Sequence, residues 1–436
     1  MSEMPTMYRS RTYIPAFATG QTLPKNSYAC PNWKAALLSL CQSNPKYMDR
    51  LSALSPGEWR KLLQWLDASG LSLYFADRVD ELNLQRSLPL AVRQRLQQNL
   101  SDNRARMGGL LQETAELQLE FQRANVSHAV LNGFSLCPSS VLVSELRHQL
   151  AVEFLIDESG VARAREILEQ AGYCLHRIGE GTWEFKKNET RRLSTKNMCK
   201  DGFGHTVRLR VETVLPGRKS VLSRLEYREI EGSVMPVLSP ADLFLSQGMG
   251  VFEDVCNSSV HASDLFEFYC NVCAHAEDAA FWSQVRELAE DEPTTVFGLG
   301  VVLQLIESVM EGEVPSKLAM WTMLRLPVAA LRWVDIYGMN CVRGTPCGAK
   351  LYLLLQRELM EAGNTFASTA RTVLLPTRLW VLIRAAKAND TLTFRVQRYA
   401  LQLRFGLRRL RLHLAEGFRY GWGCYRWQRY RNELSA

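Results

Sequence analysis

Three short pieces of this sequence carry residue types suited to phosphate and metal chemistry. Leu131-Asn132-Gly133-Phe134-Ser135 ends a short apolar run in a glycine turn. Such a turn can bring backbone N–H groups and a hydroxyl, here that of Ser135, up to a phosphate, because Gly133 has no Cβ in the way. Leu150-Ala151-Val152-Glu153-Phe154-Leu155-Ile156 carries a carboxylate on a second apolar run, with Arg147 just ahead of it, and Val207-Arg208-Leu209-Arg210-Val211-Glu212-Thr213 carries another. Acids two apart on a strand point to one face and can jointly hold Mg²⁺, which prefers carboxylate and phosphate oxygens. Two such ions stabilise the attacking and leaving oxygens of an in-line phosphoryl displacement. No single piece is specific: Gly-Phe-Ser follows many strands, and Glu153 reads equally as a solvent-facing strand residue.

The elements that must position these residues follow from periodicity. Asn32 is placed to cap a helix holding Trp33, Ala36, Leu37 and Leu40, and Ser55-Pro56 opens another with Trp59, Leu62, Leu63 and Leu66 on one face. The helical texture runs through Leu88–Asn125 and includes the amphipathic stretch Arg104–Ala124. From Val126 it changes to strands at 127–131 and 150–156, a helix over 161–171 closed by Gly172, then strands at 173–178, 182–186 and 206–215. After Ser239-Pro240 helices return. The expected fold is α+β, a small mixed β-sheet core over 126–238 flanked by helical regions at 31–125 and 239–370. A polar arm at 1–30 precedes them and a basic, aromatic-rich segment at 371–436 follows.

In order and spacing these pieces resemble an uncharacterised bacterial nucleotidyltransferase family, over about Leu51 to Glu290. The family has a helical lead-in, Lys-Gly after a strand, an Arg ahead of an Asp-x-Asp strand, and a helix running into Leu-Gly-Tyr. The matching text is Ala129-Val130-Leu131-Asn132-Gly133, then Arg147 through Ile156, then Glu169-Gln170-Ala171-Gly172-Tyr173. Leu238-Ser239-Pro240-Ala241-Asp242-Leu243 resembles its Pro-x-Asp-Leu helix start, and His261-Ala262-Ser263-Asp264-Leu265 its later Asp-Leu helix. The resemblance implies transfer of a nucleoside monophosphate from an NTP to an unknown acceptor with Mg²⁺. It would place Asn132, Gly133, Ser135 and Arg147 at the nucleotide, and Glu153 and Glu212 at the metal.

The departures open a second reading. Asn132 stands where the family has Lys, Ala151 where it has the first Asp, and Glu153 where it has the second; the family's His two residues beyond the third acid falls at Val214. Losing the shared carboxylate removes a bridging ligand from two-metal catalysis. A single Mg²⁺ held by Glu153, Glu212 and the nucleotide's phosphates is one outcome, with Arg147, Lys186 or Lys187 replacing the lost cation. The other is a catalytically degenerate binding or adaptor protein that works through its helical and basic surfaces.

Other signals carry less. Cys270-Asn271-Val272-Cys273-Ala274-His275 lacks the His directly after the second Cys that haem attachment needs, and no second ligand pair suggests zinc, so these thiols are expected in a helical core. His128 reads as a core histidine, with His148 and His205 near the proposed site. No Gly-x-Ser-x-Gly, P-loop or His-Glu-x-x-His pattern occurs. An apolar fraction of 47% and a charged fraction of 22% over 436 residues exclude wholesale disorder. Eleven cysteines, an odd number, together with Met1–Gly20, which lacks an apolar h-region, predict a reduced cytoplasmic protein. No run of about 18 apolar residues predicts a membrane span.

The net charge of +7 is unevenly held. Residues 371–436 carry 14 Lys and Arg against three acids, a local +11, which leaves −4 on the remaining 370 residues. Within that tail arginines interleave with leucines and then with Phe418, Tyr420, Trp422, Tyr425, Trp427 and Tyr430. The pattern suits an anionic partner, either nucleic acid or a membrane surface, and it also suits a helix laying its Leu face on the acidic body with the aromatics as core.

Overall fold

Ser55 opens its helix as the sequence requires. Its Oγ accepts from the Glu58 N–H while the Glu58 carboxylate accepts from the Ser55 N–H, and Pro56 fills the first turn. In the computed structural model, which describes residues 31–42, 45–149, 151–179, 181–187, 206–214, 219–257, 260–290, 292–344, 350–359 and 392–435, this helix is α3 (Pro56–Ala68). It follows α1 (Asn32–Cys41) and α2 (Pro45–Ser52) and precedes α4 (Ser72–Glu81) and the 34-residue α5 (Leu90–Arg123). Asn32 is the first helical residue of α1 rather than its cap; Pro31 holds that place without a side-chain bond. The polar arm, His205 and residues 371–391 of the basic segment lie outside the described residues.

The sheet contains β1 (His128–Leu131), β2 (Ala151–Ile156), β3 (Tyr173–Gly179), β4 (Thr182–Lys187), β5 (Thr206–Val211), β6 (Glu226–Ile230) and β7 (Ser233–Val237), in the order β3-β4-β5-β2-β1-β7-β6. It is mixed: β2 runs parallel to β5 and β1 to β7, while the remaining pairs are antiparallel. Helix α6 (Val161–Gln170) crosses from β2 to β3 and stops before Gly172, whose φ of +85° is the left-handed conformation a closing glycine supplies. Two results differ from expectation. Strand β5 ends at Val211, so Glu212 lies past the last paired residue. The β6–β7 hairpin turns on Glu231 and Gly232, both at positive φ; a Glu in the first position hides a turn that Asn-Gly would have announced.

One face of the sheet packs on the second half of α5 and on α6, where Phe121, His128 and Phe154 meet edge to face. His128 is a core histidine: its Nδ1 lies 2.9 Å from the Val126 carbonyl, and burial holds its pKa down.

After β7 come α7 (Pro240–Asn257), α8 (Ala262–Ala274), α9 (Ala279–Ala289), α10 (Pro293–Met310), α11 (Ser316–Ala319), α12 (Val328–Val342), α13 (Tyr352–Leu359) and α14 (Leu392–Ser435). Helices from before and after the sheet share one hydrophobic core, including Leu37, Phe75, Leu265, Phe268, Leu303 and Trp333. The sheet unit is therefore threaded between two halves of a single helical body. Helix α10 is, among the described residues, the one long and apolar enough to cross a membrane, yet Leu299, Val301, Val302, Leu303, Leu305 and Ile306 are fully enclosed by that body. Cys270 is buried on α8 and Cys273 packs beside the core; burial pushes the Cys273 thiol up to about 11. Among the described residues no three His, Cys, Asp or Glu side chains are grouped as a metal site requires.

Two glycines on α7 test this packing. A Cβ at Gly248 would stand 2.5 Å from Leu299 Cδ2 and 2.9 Å from Phe268 Cζ, whereas nothing lies within 4 Å of one at Gly250. Gly248→Val is expected to destabilise the protein by about 1–3 kcal/mol through overpacking. Gly250→Ala is expected to stabilise it by roughly 0.5–1 kcal/mol through helix propensity. Urea midpoints of the two variants check both signs.

Candidate functional site

The segment between β1 and β2 is held from below by α5. Asn103, fully buried, donates from Nδ2 to the carbonyls of Glu145 at 2.6 Å and Arg147 at 3.1 Å, and Arg106 Nη1 lies 3.0 Å from His148 Nε2. So pinned, Arg147 projects toward α8. Its Nε donates to Glu267 Oε2 at 2.8 Å, its Nη2 lies 3.3 Å from Asp264 Oδ1, and the Tyr74 hydroxyl donates to the other Glu267 oxygen at 2.7 Å. Burial opposes the charge of Arg147, but Glu267 and Asp264 outweigh it and raise its pKa, so it stays cationic. Burial in turn pushes the Glu267 and Asp264 carboxyls up, with Arg147 opposing.

The turn after β1 is tight. Asn132 has φ +51° and Gly133 φ +47°, and a Cβ on Gly133 would stand 2.0 Å from Gln149 Oε1. Glycine is required there by the close approach of Gln149 as well as by the backbone. Ser135 is fully buried, and its hydroxyl donates to the Asn132 carbonyl at 3.0 Å.

The sheet register decides what faces Glu153. Leu131 pairs with Glu153 across β1–β2, and Arg208 pairs with Glu153 across β2–β5. Asn132 Nδ2 donates to Glu153 Oε2 at 2.7 Å, and Arg208 Nη1 donates to Glu153 Oε1 at 2.9 Å. Alternation puts Ala151, Glu153, Arg208 and Arg210 on one face of the sheet. Glu212, four residues beyond Arg208, is about 13 Å further along the strand direction. There it accepts from the Ser220 hydroxyl at 2.6 Å and the Val221 N–H at 2.5 Å, as an anchor for the following turn.

Between this face and the helical body lies a cavity of about 440 Å³. Asn132, Arg147, Gln149, Glu153, Arg208 and Arg210 line its sheet side, and Asp67, Glu253, Asp254, Asp264 and Glu267 line its helical side. Two buried amides in the lining keep an atom without a partner among the described residues: Gln149 Oε1, an acceptor, and Gln247 Nε2, a donor. Unpaired buried polar atoms of this kind are costly unless a ligand or water completes them.

Of the residues singled out from sequence, Asn132, Arg147 and Glu153 meet at the cavity, whereas Gly133, Ser135 and Glu212 are not in its lining. The expected convergence of Glu153 with Glu212 is absent because the strand register sets Arg208 beside Glu153 instead. Lys186 pairs with Glu184, and Lys187 reaches Glu113 on α5. These side chains do not fit a Mg²⁺ held by paired carboxylates: Glu153 is already bonded to an amide and a guanidinium, and Glu184, across Arg208 on the same face, is held by Lys186 and lies 3.7 Å from Arg208 Nε. Gln149 and the carboxylates that receive Arg147 were missed, because they belong to segments whose approach only the tertiary fold determines.

Residues 55–298 match a family model described as an uncharacterised nucleotidyltransferase. The match spans more than half of the chain and includes every residue that lines the cavity. No curated protein matches the chain.

Removing Arg147 would leave the Glu267 charge buried without its cation. Arg147→Met is expected to cost about 3–5 kcal/mol. The double variant Arg147→Met/Glu267→Gln is expected to recover part of that loss, since the two sites are coupled. Urea unfolding at neutral pH measures both.

Proposed function

Because the chain belongs to the uncharacterised nucleotidyltransferase family, we propose that its cleft receives a nucleotide but holds the phosphates by arginine rather than through a carboxylate-bound metal. The observation that carries this reading is the 2.9 Å bond from Arg208 to Glu153 on the sheet face where the family's resemblance leads one to expect a second and third acid. A guanidinium presents planar, paired donors that match phosphate oxygens. With Arg208 and Arg210 adjacent on one face, an incoming phosphate takes the place that Glu153 now fills. The unpaired Gln149 and Gln247 atoms support a ligand with both donor and acceptor groups, as a nucleobase has. In this reading the fold serves binding, with the helical body and the basic α14 available to a partner, and nucleotidyl transfer is lost or strongly reduced.

The alternative, transfer with a single Mg²⁺, rests on Glu153 being retained in the cleft. Glu153→Gln separates the two. Isothermal titration of the full chain with ATP, CTP, GTP and UTP, in Mg²⁺ and in EDTA, is expected to find binding that persists in EDTA. That binding should tighten in Glu153→Gln, which removes one of the two carboxylates beside Arg208, and weaken by roughly tenfold or more in Arg208→Ala, the loss expected of one charge-assisted bond. Mg²⁺-dependent transfer of radiolabel from NTP, abolished by Glu153→Gln, would establish the enzyme instead. Binding of none of the four nucleotides would overturn both readings.

A further inference from the structure

Helix α14 has 44 residues, about 66 Å at 1.5 Å per residue, and the rest of the protein uses one side of it. Glu416, Tyr420, Gly423 and Trp427 recur at spacings of four and three and face the body. Trp427 is 3% exposed and donates from Nε1 to Glu358 at 2.9 Å, and a Cβ at Gly423 would stand 2.6 Å from Leu351. The opposite side is bare. Leu403, Leu407, Leu410, Leu414, Phe418 and Trp422, between 56% and 81% exposed, belong to a stripe from Val396 to Tyr425 whose spacings of three and four keep it on one face for about 44 Å. The leucines of this stripe are thus turned outward, while Trp427 packs on the body.

Charge on the bare side has one sign. Leu403, Leu410, Phe418 and Tyr425 are each followed directly by an arginine, Arg404, Arg411, Arg419 and Arg426, which sets four cations along one flank of the stripe, about 100° round the helix. The acid within this stretch, Glu416, is buried on the packed side near Lys350. Among the described side chains of α14 no acid is exposed.

We propose that this face docks the protein on an anionic lipid surface, with the helix axis in the membrane plane. The leucines and Phe418 would enter the acyl boundary, the flanking arginines would meet headgroup phosphates, and Trp422 and Tyr425 would sit at the interfacial depth that amphipathic rings favour. Among the described side chains a second copy of the helix offers no exposed acid to pair these cations, and a nucleic acid leaves an aliphatic stripe of this length without use. α14 lies beyond the family match and outside the cavity, so the inference is independent of the function proposed for the cleft.

The test is flotation of the full chain with vesicles of phosphatidylcholine alone or with added phosphatidylglycerol. The wild type is expected to float with the anionic vesicles and not with the neutral ones. Leu407→Glu/Leu414→Glu/Phe418→Glu should abolish flotation, and Arg404→Gln/Arg411→Gln/Arg419→Gln should weaken it by roughly fivefold per charge removed. Brominated lipid should quench tryptophan fluorescence in the wild type, by less in Trp422→Phe, a readout that does not depend on how the triple variants fold. Absence of flotation with anionic vesicles, or flotation that survives the glutamate triple, would overturn the proposal. So would self-association or RNA binding through the same residues by a chain that leaves vesicles unbound.

Discussion

The cleft exists because a half-buried arginine ties the sheet unit to the helical body. Arg147 sits on a segment that α5 fixes to the sheet side, and its guanidinium ends on Glu267 and Asp264 of α8, with Tyr74 of α4 completing Glu267. Three parts of the chain that are far apart in sequence are thus held at one charge. A buried ion pair is seldom a large net source of stability, because desolvation offsets its attraction. Its value here is positional. With Arg147 held by α8, the cation that the sequence offers to a ligand is spent on architecture, and Arg208 and Arg210 are the other arginines in the cavity lining.

That division of labour explains how a face short of acids can remain a coherent site. In a metal-dependent transferase the sheet face concentrates negative charge and the ion reverses it. Here Ala151 removes one acid, Glu212 is carried past the end of β5 to anchor a turn, and Arg208 arrives opposite Glu153. On this face Arg208 stands between Glu153 and Glu184, so a guanidinium rather than an ion takes up the carboxylates. Further acidic residues line the opposite wall, Asp67 on α3, Glu253 and Asp254 on α7, and Asp264 and Glu267 on α8. The cavity is therefore polarised across its width, cationic at the sheet and anionic at the helices.

The local elements were legible in the sequence wherever the physics is local. The helix start at Ser55-Pro56, the glycine stop after α6, and the apolar runs of β1 and β2 all follow from near neighbours in the chain, and the structure holds each of them. Asn32 misled because Pro31 begins the helix one residue earlier, and β6–β7 escaped because Glu231-Gly232 is an unusual pair for so tight a turn. The site was half legible. Asn132, Arg147 and Glu153 could be named because they flank strands that announce themselves. Glu212 could not be ruled out, since pairing of the parallel strands β2 and β5 is set by packing on both faces of the sheet rather than by any turn between them. A shift of four residues along β5 is the difference between an acid and an arginine opposite Glu153.

The same limit separates charge content from charge position in α14. Composition gives a tail with a net of +11 on a body of −4, and attraction between the two would have been reason enough to fold one on the other. The packed side of the helix uses Trp427, Tyr420 and Gly423, with Arg431 3.5 Å from Glu358, while the arginines after Leu403, Leu410, Phe418 and Tyr425 are exposed. Attachment through aromatics leaves both the leucine stripe and its flanking charge unspent. Because α12 and α13, which receive Trp427 and its neighbours, belong to the same core as Leu303 and Phe268, the helix is fixed to the body that forms one wall of the cavity. Whatever surface α14 meets will therefore orient the whole protein, cleft included, rather than tether it loosely.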